Sequence, residues 1–381
     1  MKTVCKENQC AGCMACIDIC SKKAIQLVDS IVAYNAVIDE NNCINCGACQ
    51  KVCQENNPPV QMKPIVWKEG WANNQVIREK SSSGGLATAI ELAFIKNGGT
   101  VCSCSLKEGD FLFSFAYTEK DVAKFTGSKY VKSNPKGVYK KILEKLKKGE
   151  KVLFVGLPCQ VAAVKNFVGN KENLYTIDLI CHGTPSPKIL ERFLNDYKLD
   201  LYSTQDIRFR VKTKFYLESD QKRFTVPTVI DNYLMIFLNS TSYTENCYEC
   251  KYAKQERIGD ITLGDSWGSE LPEDIQSKGV SLVFCQTDNG KYLLEQTDLQ
   301  LLDVDLERAI TWNHQLHHPS VKSKQREKFL NAINEGKKFR QVVLTCYPKR
   351  YIKNLVKTIL YKMKIIRGGQ VRYCIILTER I

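Results

Sequence analysis

Eight cysteines near the start of the chain form two groups with the same spacing. The first group follows the pattern C-x-x-C-x-x-C-x-x-x-C, and the second repeats it 33 residues later. The two groups are Cys10, Cys13, Cys16 and Cys20, and Cys43, Cys46, Cys49 and Cys53. Thiolates in this spacing hold 4Fe-4S clusters in bacterial ferredoxins, which exchange single electrons. The spacing therefore predicts two 4Fe-4S clusters and a role in electron transfer.

The ferredoxin pattern also predicts that the ligands cross between the groups, because the fourth cysteine of each run binds the other cluster. One cluster would be held by Cys10, Cys13, Cys16 and Cys53, and the other by Cys43, Cys46, Cys49 and Cys20. Gly12 and Gly47 would keep the backbone close to inorganic sulfide. Zinc sites typically use paired cysteine knuckles, so the two evenly spaced quartets favour iron and sulfide over zinc. Cys5 lies outside both quartets, and we interpret it as a bystander.

Two positions depart from the usual ferredoxin pattern. A proline normally follows the fourth cysteine, and this chain has Ser21 and Gln54 there instead. The departure weakens the turn without affecting the ligands.

Composition and the expected compartment favour metal binding or redox chemistry over a disulfide scaffold as the role of the cysteines. The chain has 381 residues, of which 44% are hydrophobic and 25% charged, so it can form a sizeable core in two or three domains. It shows no apolar signal sequence, and no apolar run approaches the roughly 20 residues of a membrane-spanning helix. We therefore expect a cytoplasmic protein, where its 18 cysteines would bind metal or act in redox chemistry.

The net charge of +14 is unevenly distributed. Residues 1–60 hold five lysines and six acidic residues, 5 − 6 = −1, whereas residues 346–381 hold nine basic residues and one acidic residue, 9 − 1 = +8. No nucleic-acid recognition motif accompanies the charge, so we expect no nucleic-acid partner.

Residues that interrupt helices and strands, and glycine-rich segments, divide the rest of the chain. Asn57-Pro58-Pro59 indicates a domain boundary. The segment SSSGG at 81–85 leads into a predicted helix over 86–97. The start of such a helix suits a phosphate group, and a capped helix with nothing bound is the alternative. The chain has no G-x-G-x-x-G, so a conventional dinucleotide site is not supported.

Four further cysteines lie next to predicted strands. Residues 151–156 and 174–180 are predicted to be buried parallel strands joined by a helix that starts near Pro158. Cys159 and Cys181 each follow one of these strands, at the edge where open α/β sheets bind ligands. Cys247 and Cys250 precede the predicted strand in GDITLGDSWG. From spacing alone, a third cluster, inert core thiols, zinc and a redox disulfide all remain open.

Several of these motifs, in this order, resemble the coenzyme F-420 hydrogenase/dehydrogenase beta-subunit family. They are SSGG at 82–85, GLPCQ at 156–160, ICHGTPSP at 180–187, the C-x-x-C pair at 247–250 and GDITLGDSWG at 259–268. The resemblance covers roughly residues 75–320. It implies FAD and a third 4Fe-4S cluster, with Cys159, Cys181, Cys247 and Cys250 as the cluster ligands. The residues that it places near the flavin are Ser83, Gly84, Gly85, Gly127, Ser128, Lys129, Asp265 and Trp267.

The expected architecture is of the α+β or α/β class. A bacterial ferredoxin-like domain over 1–60 precedes a mixed α/β domain with a partly parallel sheet over 61–345, with a further boundary near 150. The expected function is an anaerobic iron-sulfur flavoprotein oxidoreductase that acts on an unknown small molecule with a redox partner protein or low-potential carrier. A non-catalytic electron-transfer subunit is the alternative. His182 is a weak catalytic candidate, and packing explains such a histidine equally.

Two basic segments complete the prediction. RFRVKTKF at 208–215 is consistent with a strand whose basic residues face an anionic ligand or, as we favour, water. Residues 346–381 form a basic tail with a predicted amphipathic helix from Ile352. Docking on its own domain or on an acidic partner is favoured for this helix. Contact with the inner face of a membrane is the second interpretation.

Overall fold

The structure is a computed structural model, and it describes residues 1–169, 171–227 and 229–366. The strands are β1 (Ile25–Asp29), β2 (Tyr34–Ile38), β3 (Val66–Ala72), β4 (Thr100–Lys107), β5 (Asp110–Ala116), β6 (Val152–Gly156), β7 (Leu174–Leu179), β8 (Ile207–Val211), β9 (Lys214–Ser219), β10 (Lys222–Arg223), β11 (Ile261–Asp265), β12 (Ser281–Cys285) and β13 (Leu299–Leu302). The helices are α1 (Ala15–Ile19), α2 (Ala48–Val52), α3 (Gln75–Lys80), α4 (Leu86–Lys96), α5 (Glu119–Ala123), α6 (Val138–Lys147), α7 (Pro158–Val168), α8 (Pro187–Asn195), α9 (Asn232–Leu238), α10 (Glu273–Gln276), α11 (Asp288–Glu295), α12 (Leu306–Thr311), α13 (Arg326–Asn334), α14 (Phe339–Cys346) and α15 (Pro348–Lys362).

An eight-stranded mixed sheet forms the centre of the molecule, in the order β13-β3-β12-β11-β7-β6-β4-β5. The pairs β4 with β6, β6 with β7, and β7 with β11 are parallel, and the outer pairs are antiparallel. β6 is buried along its whole length, as expected for a parallel strand covered on both faces. The predicted mixed α/β class with a partly parallel sheet is confirmed, as are the helices predicted after residue 85 and at Pro158.

The N-terminal region contains the hairpin of β1 and β2 and the short helices α1 and α2, and it packs against the body. Apolar residues of both parts share one buried cluster, in which Val4 and Ile38 belong to the N-terminal region and Phe154 to β6. The Asp18 carboxylate accepts hydrogen bonds from the backbone N–H of Gly137 at 2.8 and 2.9 Å. The cysteine-bearing region is thus held by both apolar and polar contacts, while the domain boundaries at 60 and 150 stay predictions.

The segment RFRVKTKF differs from the single strand that we expected. It forms β8 and β9 of a separate three-stranded antiparallel sheet, and the turn between them begins at Lys212, whose φ is +55°. The expectation that its basic side chains face water is wrong for Arg210, which is 7% exposed. The pairing of β8 with β9 is irregular between Arg208 and Arg210. Such an irregularity interrupts the alternation of side chains along a strand, so Arg208 is exposed while Arg210, two positions later, is buried.

The tail forms α15, and within the described residues docking of its apolar stripe on the chain's own domain is wrong, while docking on an acidic partner stays a prediction. Ile352, Leu355 and Ile359 on this stripe are 55%, 52% and 48% exposed. The rest of the predicted tail, 367–381, lies outside the described residues. None of the helices described here is long and apolar enough to cross a membrane.

Candidate iron-sulfur and flavin site

The structure brings Cys53 together with the first three cysteines of the N-terminal motif. Cys16 lies within α1, and Cys53 directly follows α2. The four thiols line one cavity, and all are buried. Burial raises the pKa of Cys16, and the neighbouring thiols of Cys10 and Cys53 raise it further. The fourth cysteine of the second motif therefore lies with the first motif, as the crossed arrangement requires.

The second group combines Cys20 with the second motif. Burial raises the pKa of Cys49, and the nearby thiols of Cys20 and Cys43 add to this rise. The backbone N–H of Ala24 donates to the Sγ of Cys20 at 3.4 Å. Cys46 is exposed, so this group reaches the protein surface.

The two motifs share an unusual backbone path. Two positions after the first cysteine, φ is +71° at Gly12 and +53° at Asn45, and four positions after it, φ is +60° at Met14 and +72° at Gly47. A Cβ at Gly12 would lie 2.5 Å from the ring of Tyr34, whereas no described atom lies within 4 Å of a Cβ at Gly47. Gly12 is therefore required by packing and conformation, and Gly47 is favoured by conformation alone.

Cys5 is in contact with the first group and is more than a bystander. It lines the same cavity and is buried. Hydrogen bonds with Cys10 and Cys53 raise the pKa of Cys5 and lower the pKa of each partner. Spacing could not find this residue because it precedes the motif by five positions.

The four later cysteines line one cleft at the carboxyl ends of β6 and β7. They are Cys159, Cys181, Cys247 and Cys250. The empty space of the cleft is about 760 Å³, including its open mouth. Burial raises the pKa of Cys181 to about 12 and that of Cys250 to about 11, and the nearby Cys247 thiol adds to both rises. Within the described ranges, no group of three or more His, Cys, Asp or Glu side chains is arranged to hold a single metal ion.

The first group and this cleft adjoin. Burial raises the pKa of Cys159, and Cys13 of the first group is among the thiols that add to the rise. Between them, the hydroxyl of the fully buried Tyr139 donates to the carbonyl oxygen of Cys13 at 2.7 Å. The two sites are therefore separated by side chains and not by solvent.

A buried cation connects the same two sites. Lys132 is 6% exposed, and its Nζ donates to the carbonyl oxygen of Ala11 at 3.1 Å and to Oδ1 of Asn246 at 3.5 Å. Ala11 lies within the first cysteine motif, and Asn246 directly precedes Cys247. While burial raises the pKa of Cys159, the charge of Lys132 opposes the rise. The ammonium group is thus placed where thiolates on both sides would compensate its burial.

An ion pair lies beneath the cleft. Nη2 of Arg257 donates to Oδ1 of Asp178 at 2.6 Å, and the two side chains are 1% and 0% exposed. The other Arg257 donors reach the carbonyl oxygens of Tyr252 at 2.6 Å and Leu179 at 3.1 Å. The pair therefore ties the segment that follows Cys250 to the end of β7, two residues before Cys181.

The residues predicted near a flavin come from three loops that meet around Arg210. The backbone N–H of Ser128 donates to Oγ of Ser82 at 2.8 Å, which joins the SSGG turn to the loop at 127–130. Both Nη atoms of Arg210 donate to the Asp265 carboxylate at 2.6 Å, and Nη2 also donates to the carbonyl oxygen of Ser82 at 2.8 Å. The guanidinium lies 6.0 Å from the centre of the Trp267 ring.

Three of the predicted flavin residues are engaged by the protein itself. Oγ of Ser83 donates to the carbonyl oxygen of Val280 at 2.9 Å. A Cβ at Gly84 would lie 2.4 Å from the carbonyl oxygen of Gly70 in the sheet, so this glycine is required for packing. Lys129 donates through Nζ to the carbonyl oxygens of its own loop. These contacts hold the SSGG turn and the neighbouring loop in place from the protein side.

The remaining glycines of these loops have left-handed backbones. Gly85 has a φ of +89° at the start of α4, and Gly127 has a φ of +94°. No described atom lies within 4 Å of a Cβ at Gly127, so space is open beside that residue.

His182 lies between the cleft and the loops around Arg210. Nε2 of Gln315 donates to Nδ1 of His182 at 2.5 Å, and Oγ of Ser320 donates to its carbonyl oxygen at 2.6 Å. Desolvation lowers the pKa of His182 to about 3, and the neighbouring His314 lowers it further. Its ring is thus held as a neutral acceptor. A catalytic role for His182 stays a prediction.

Two family models match separate parts of the chain. Residues 149–305 match the family described as the C terminus of the beta subunit of coenzyme F420 hydrogenase/dehydrogenase, and residues 9–57 match the 4Fe-4S dicluster domain. No curated protein matches the chain. The solved structure of a xenon-derivatized F420-reducing NiFe hydrogenase complex from Methanosarcina barkeri contains a chain that is 21% identical, with a TM-score of 0.49. The alignment covers 72% of this chain and 96% of that one.

The protein is an iron-sulfur protein of electron transfer with at least two 4Fe-4S clusters. It carries an N-terminal 4Fe-4S dicluster domain, followed by a region that matches the C terminus of the coenzyme F420 hydrogenase/dehydrogenase beta subunit over residues 149–305. The predicted resemblance is therefore confirmed.

Besides Cys5, sequence reasoning missed Lys132 and Arg210. Lys132 follows the predicted flavin loop by only three positions, but one lysine among 55 basic residues gives no signal of burial. Arg210 was assigned to a water-facing strand. Its pairing with Asp265, 55 positions later, depends on how two sheets meet and could not be found from local spacing.

Proposed function

We propose that the protein is an iron-sulfur flavoprotein oxidoreductase that passes electrons between ferredoxin-type 4Fe-4S clusters and a flavin-bound small molecule or hydride carrier. The observation that carries the proposal is a continuous series of thiol groups. It begins at the exposed Cys46 and ends in the cleft that adjoins the loops around Arg210.

Neighbouring groups of this series affect one another's pKa. The Cys49 thiol of the second group raises the pKa of Cys16 in the first group, in addition to the effect of burial. Cys13 affects Cys159 in the same way. Beyond the cleft, Asp265 opposes the lowering of the His182 pKa by desolvation. Neighbouring groups are thus close enough along the whole series to influence one another.

A third 4Fe-4S cluster fits the four thiols of the cleft. Burial raises the pKa of these thiols, as for Cys181 and Cys250, so thiolates are unfavourable there without a compensating positive charge. Iron supplies such a charge, since a coordinating thiol is deprotonated by the metal. Cys159, Cys181, Cys247 and Cys250 would be the ligands.

FAD fits the loops around Arg210. Space is open beside Gly127, and Nε of the buried Arg210 has no hydrogen-bond partner within the described part of the chain. A buried donor without a partner is unfavourable unless a ligand supplies an acceptor. Ser83, Gly84, Gly85, Gly127, Ser128, Lys129, Asp265 and Trp267 would surround the cofactor.

When bound, the clusters accept and release single electrons, and the flavin exchanges either one or two. The residues of the chain bind and position these groups. Arg210 holds the Asp265 carboxylate in place, and Lys132 supplies positive charge between two cysteine groups. The exposed second group is the surface that a redox partner protein or low-potential carrier would approach.

Metal and flavin analysis of the anaerobically purified protein tests the proposal. Three 4Fe-4S clusters require about twelve irons per chain, and two require about eight. We expect about twelve irons together with FAD released on denaturation. Cys159→Ala should lower the iron content by about four, and Cys346→Ala, which removes a buried thiol outside the three groups, should leave it unchanged.

The outcomes separate the two candidate functions. Twelve irons without flavin would favour a non-catalytic electron-transfer subunit and contradict the flavoenzyme. Eight irons that Cys159→Ala leaves unchanged would exclude the third cluster.

A further inference from the structure

Helix α15 is oriented unusually for an amphipathic helix, because most of its apolar side chains face away from the protein body. The half-buried positions are mostly polar: they include Tyr351, Asn354 and Thr358, and also Lys357 and the apolar Leu360. Nδ2 of Asn354 donates to the carbonyl oxygen of Ile230 at 3.3 Å, and Tyr351 packs against the neighbouring apolar cluster. The helix is therefore attached to the body through its tyrosine and amide side chains.

The aliphatic residues of α15 and the following turn face outward. Their exposures are 55% for Ile352, 52% for Leu355, 47% for Val356, 48% for Ile359 and 63% for Met363. At about 100° per residue these positions form one stripe along the helix. A contiguous exposed apolar stripe of this kind marks an interaction surface.

The charge beside the stripe has a single sign. Residues 348–364 contain six lysines and arginines and no acidic residue. Lys353 and Lys357 are placed on the flank of the stripe, and long basic side chains of this kind extend their charged ends away from apolar surface. An apolar stripe with a uniformly positive flank is the combination by which amphipathic helices bind an anionic lipid surface.

We propose that α15 binds an anionic phospholipid surface, with the stripe at Ile352, Leu355, Val356, Ile359 and Met363 inserted between the acyl chains and the flanking lysines at the headgroups. The helix would lie parallel to the membrane, as interfacial amphipathic helices do. This contact is independent of the flavin proposal, because it uses no residue of the cysteine groups or of the loops around Arg210.

Co-sedimentation with vesicles tests the contact. The full-length, anaerobically purified protein is mixed with vesicles of equal parts phosphatidylglycerol and phosphatidylcholine, or of phosphatidylcholine alone. We expect binding to the anionic vesicles and at least about tenfold weaker binding to the neutral ones. Lys353→Gln combined with Lys357→Gln should weaken binding to anionic vesicles by about 30-fold, at about 1 kcal/mol per basic residue.

Matched variants separate this contact from a general loss of charge or apolar surface. Ile352→Ser combined with Ile359→Ser should remove most of the binding, whereas Val321→Ser, at a position 69% exposed elsewhere on the protein, should not change it. Equal iron content and equal visible spectra would show that the variants are folded.

Three results would overturn the proposal. The full-length protein would stay in the supernatant with anionic vesicles if the stripe serves a protein partner or is covered by residues 367–381. Binding that the serine variants retain in full would place the lipid contact elsewhere. A chain that ends at Ile366 should still bind, and loss of binding in that variant would assign the contact to residues 367–381.

Discussion

Removing the charge of Asp178 should be among the most destabilising single changes in this protein. Asp178→Asn leaves the Arg257 guanidinium buried without a counter-charge. The carboxylate also accepts from the backbone N–H of Gly259 at 2.7 Å. An asparagine that keeps its oxygen toward Arg257 turns its amide donors toward that N–H, so one of the two contacts is lost in either orientation.

The expected loss of unfolding free energy follows from the burial of the ion pair between Asp178 and Arg257. Breaking a fully buried ion pair by removing one partner costs about 3–5 kcal/mol. At about 2.1 cal/mol/K per residue, the unfolding entropy of a chain of 381 residues is about 0.8 kcal/mol/K, so a decrease in Tm of roughly 4–6 °C is expected. The pair formed by Lys68 and Asp303 is the control, because its side chains are 34% and 95% exposed. Such a surface pair contributes about 0–1 kcal/mol.

Thermal unfolding under anaerobic conditions, followed by circular dichroism at a fixed scan rate, measures both effects. Asp178→Asn should lower Tm by several degrees, and Asp303→Asn should change it by no more than about 2 °C. Iron analysis of the same samples reports whether the cleft above the ion pair still binds iron. Similar small shifts for the two variants would refute the argument that burial of this pair determines its contribution.

Two further predictions concern charge. Lys132→Gln should lower the reduction potential of the nearest cluster by on the order of 70–100 mV, which is the effect of a unit charge at roughly 7–10 Å with an effective dielectric constant of about 20. An EPR-monitored redox titration measures this shift. Lys136→Gln, on the exposed surface, should change the potential little, and equal shifts for the two variants would contradict the role of Lys132. Burial raises the pKa of Glu91 to about 8 from 4.5, so the native state keeps a proton that the unfolded chain releases. Its contribution to stability is present below about pH 4.5 and is lost as the pH rises to about 8, by up to about 1.4 kcal/mol per pH unit. Glu91→Gln should flatten this decline in unfolding experiments, the exposed Glu144→Gln should retain it, and parallel curves for the two variants would contradict the assignment.

The parts of the site that the sequence predicts are those fixed by short spacing or by strand ends. The two quartets are separated by a few residues each, and the crossed partners Cys20 and Cys53 follow from the repeat. Cys159 and Cys181 could be placed at one sheet edge because parallel strands end together. The βαβ unit and the helix after residue 85 were predicted for the same local reasons.

The parts that escaped prediction depend on tertiary packing. Gly84 is a glycine because of the backbone of β3 beneath it, which the SSGG motif does not reveal. The water-facing assignment of Arg210 failed because the strand pairing is irregular between Arg208 and Arg210 and because the carboxylate of Asp265, distant in sequence, lies opposite Arg210. For α15 the periodicity gave the apolar stripe correctly, but periodicity alone does not determine which face the body covers.

The packing of the N-terminal region imposes an order on how the protein matures. The thiols of Cys10, Cys13, Cys16 and Cys53 are buried, and Tyr139 and Lys132 of the body contact the backbone around them. A scaffold protein that delivers iron and sulfide needs access to these thiols, which the assembled molecule denies. We therefore expect delivery to the first group to precede closure of the N-terminal region onto the body, whereas the second group, which reaches the surface at Cys46, can be filled afterwards. Oxidative damage should accordingly be easier to repair in the second group than in the first.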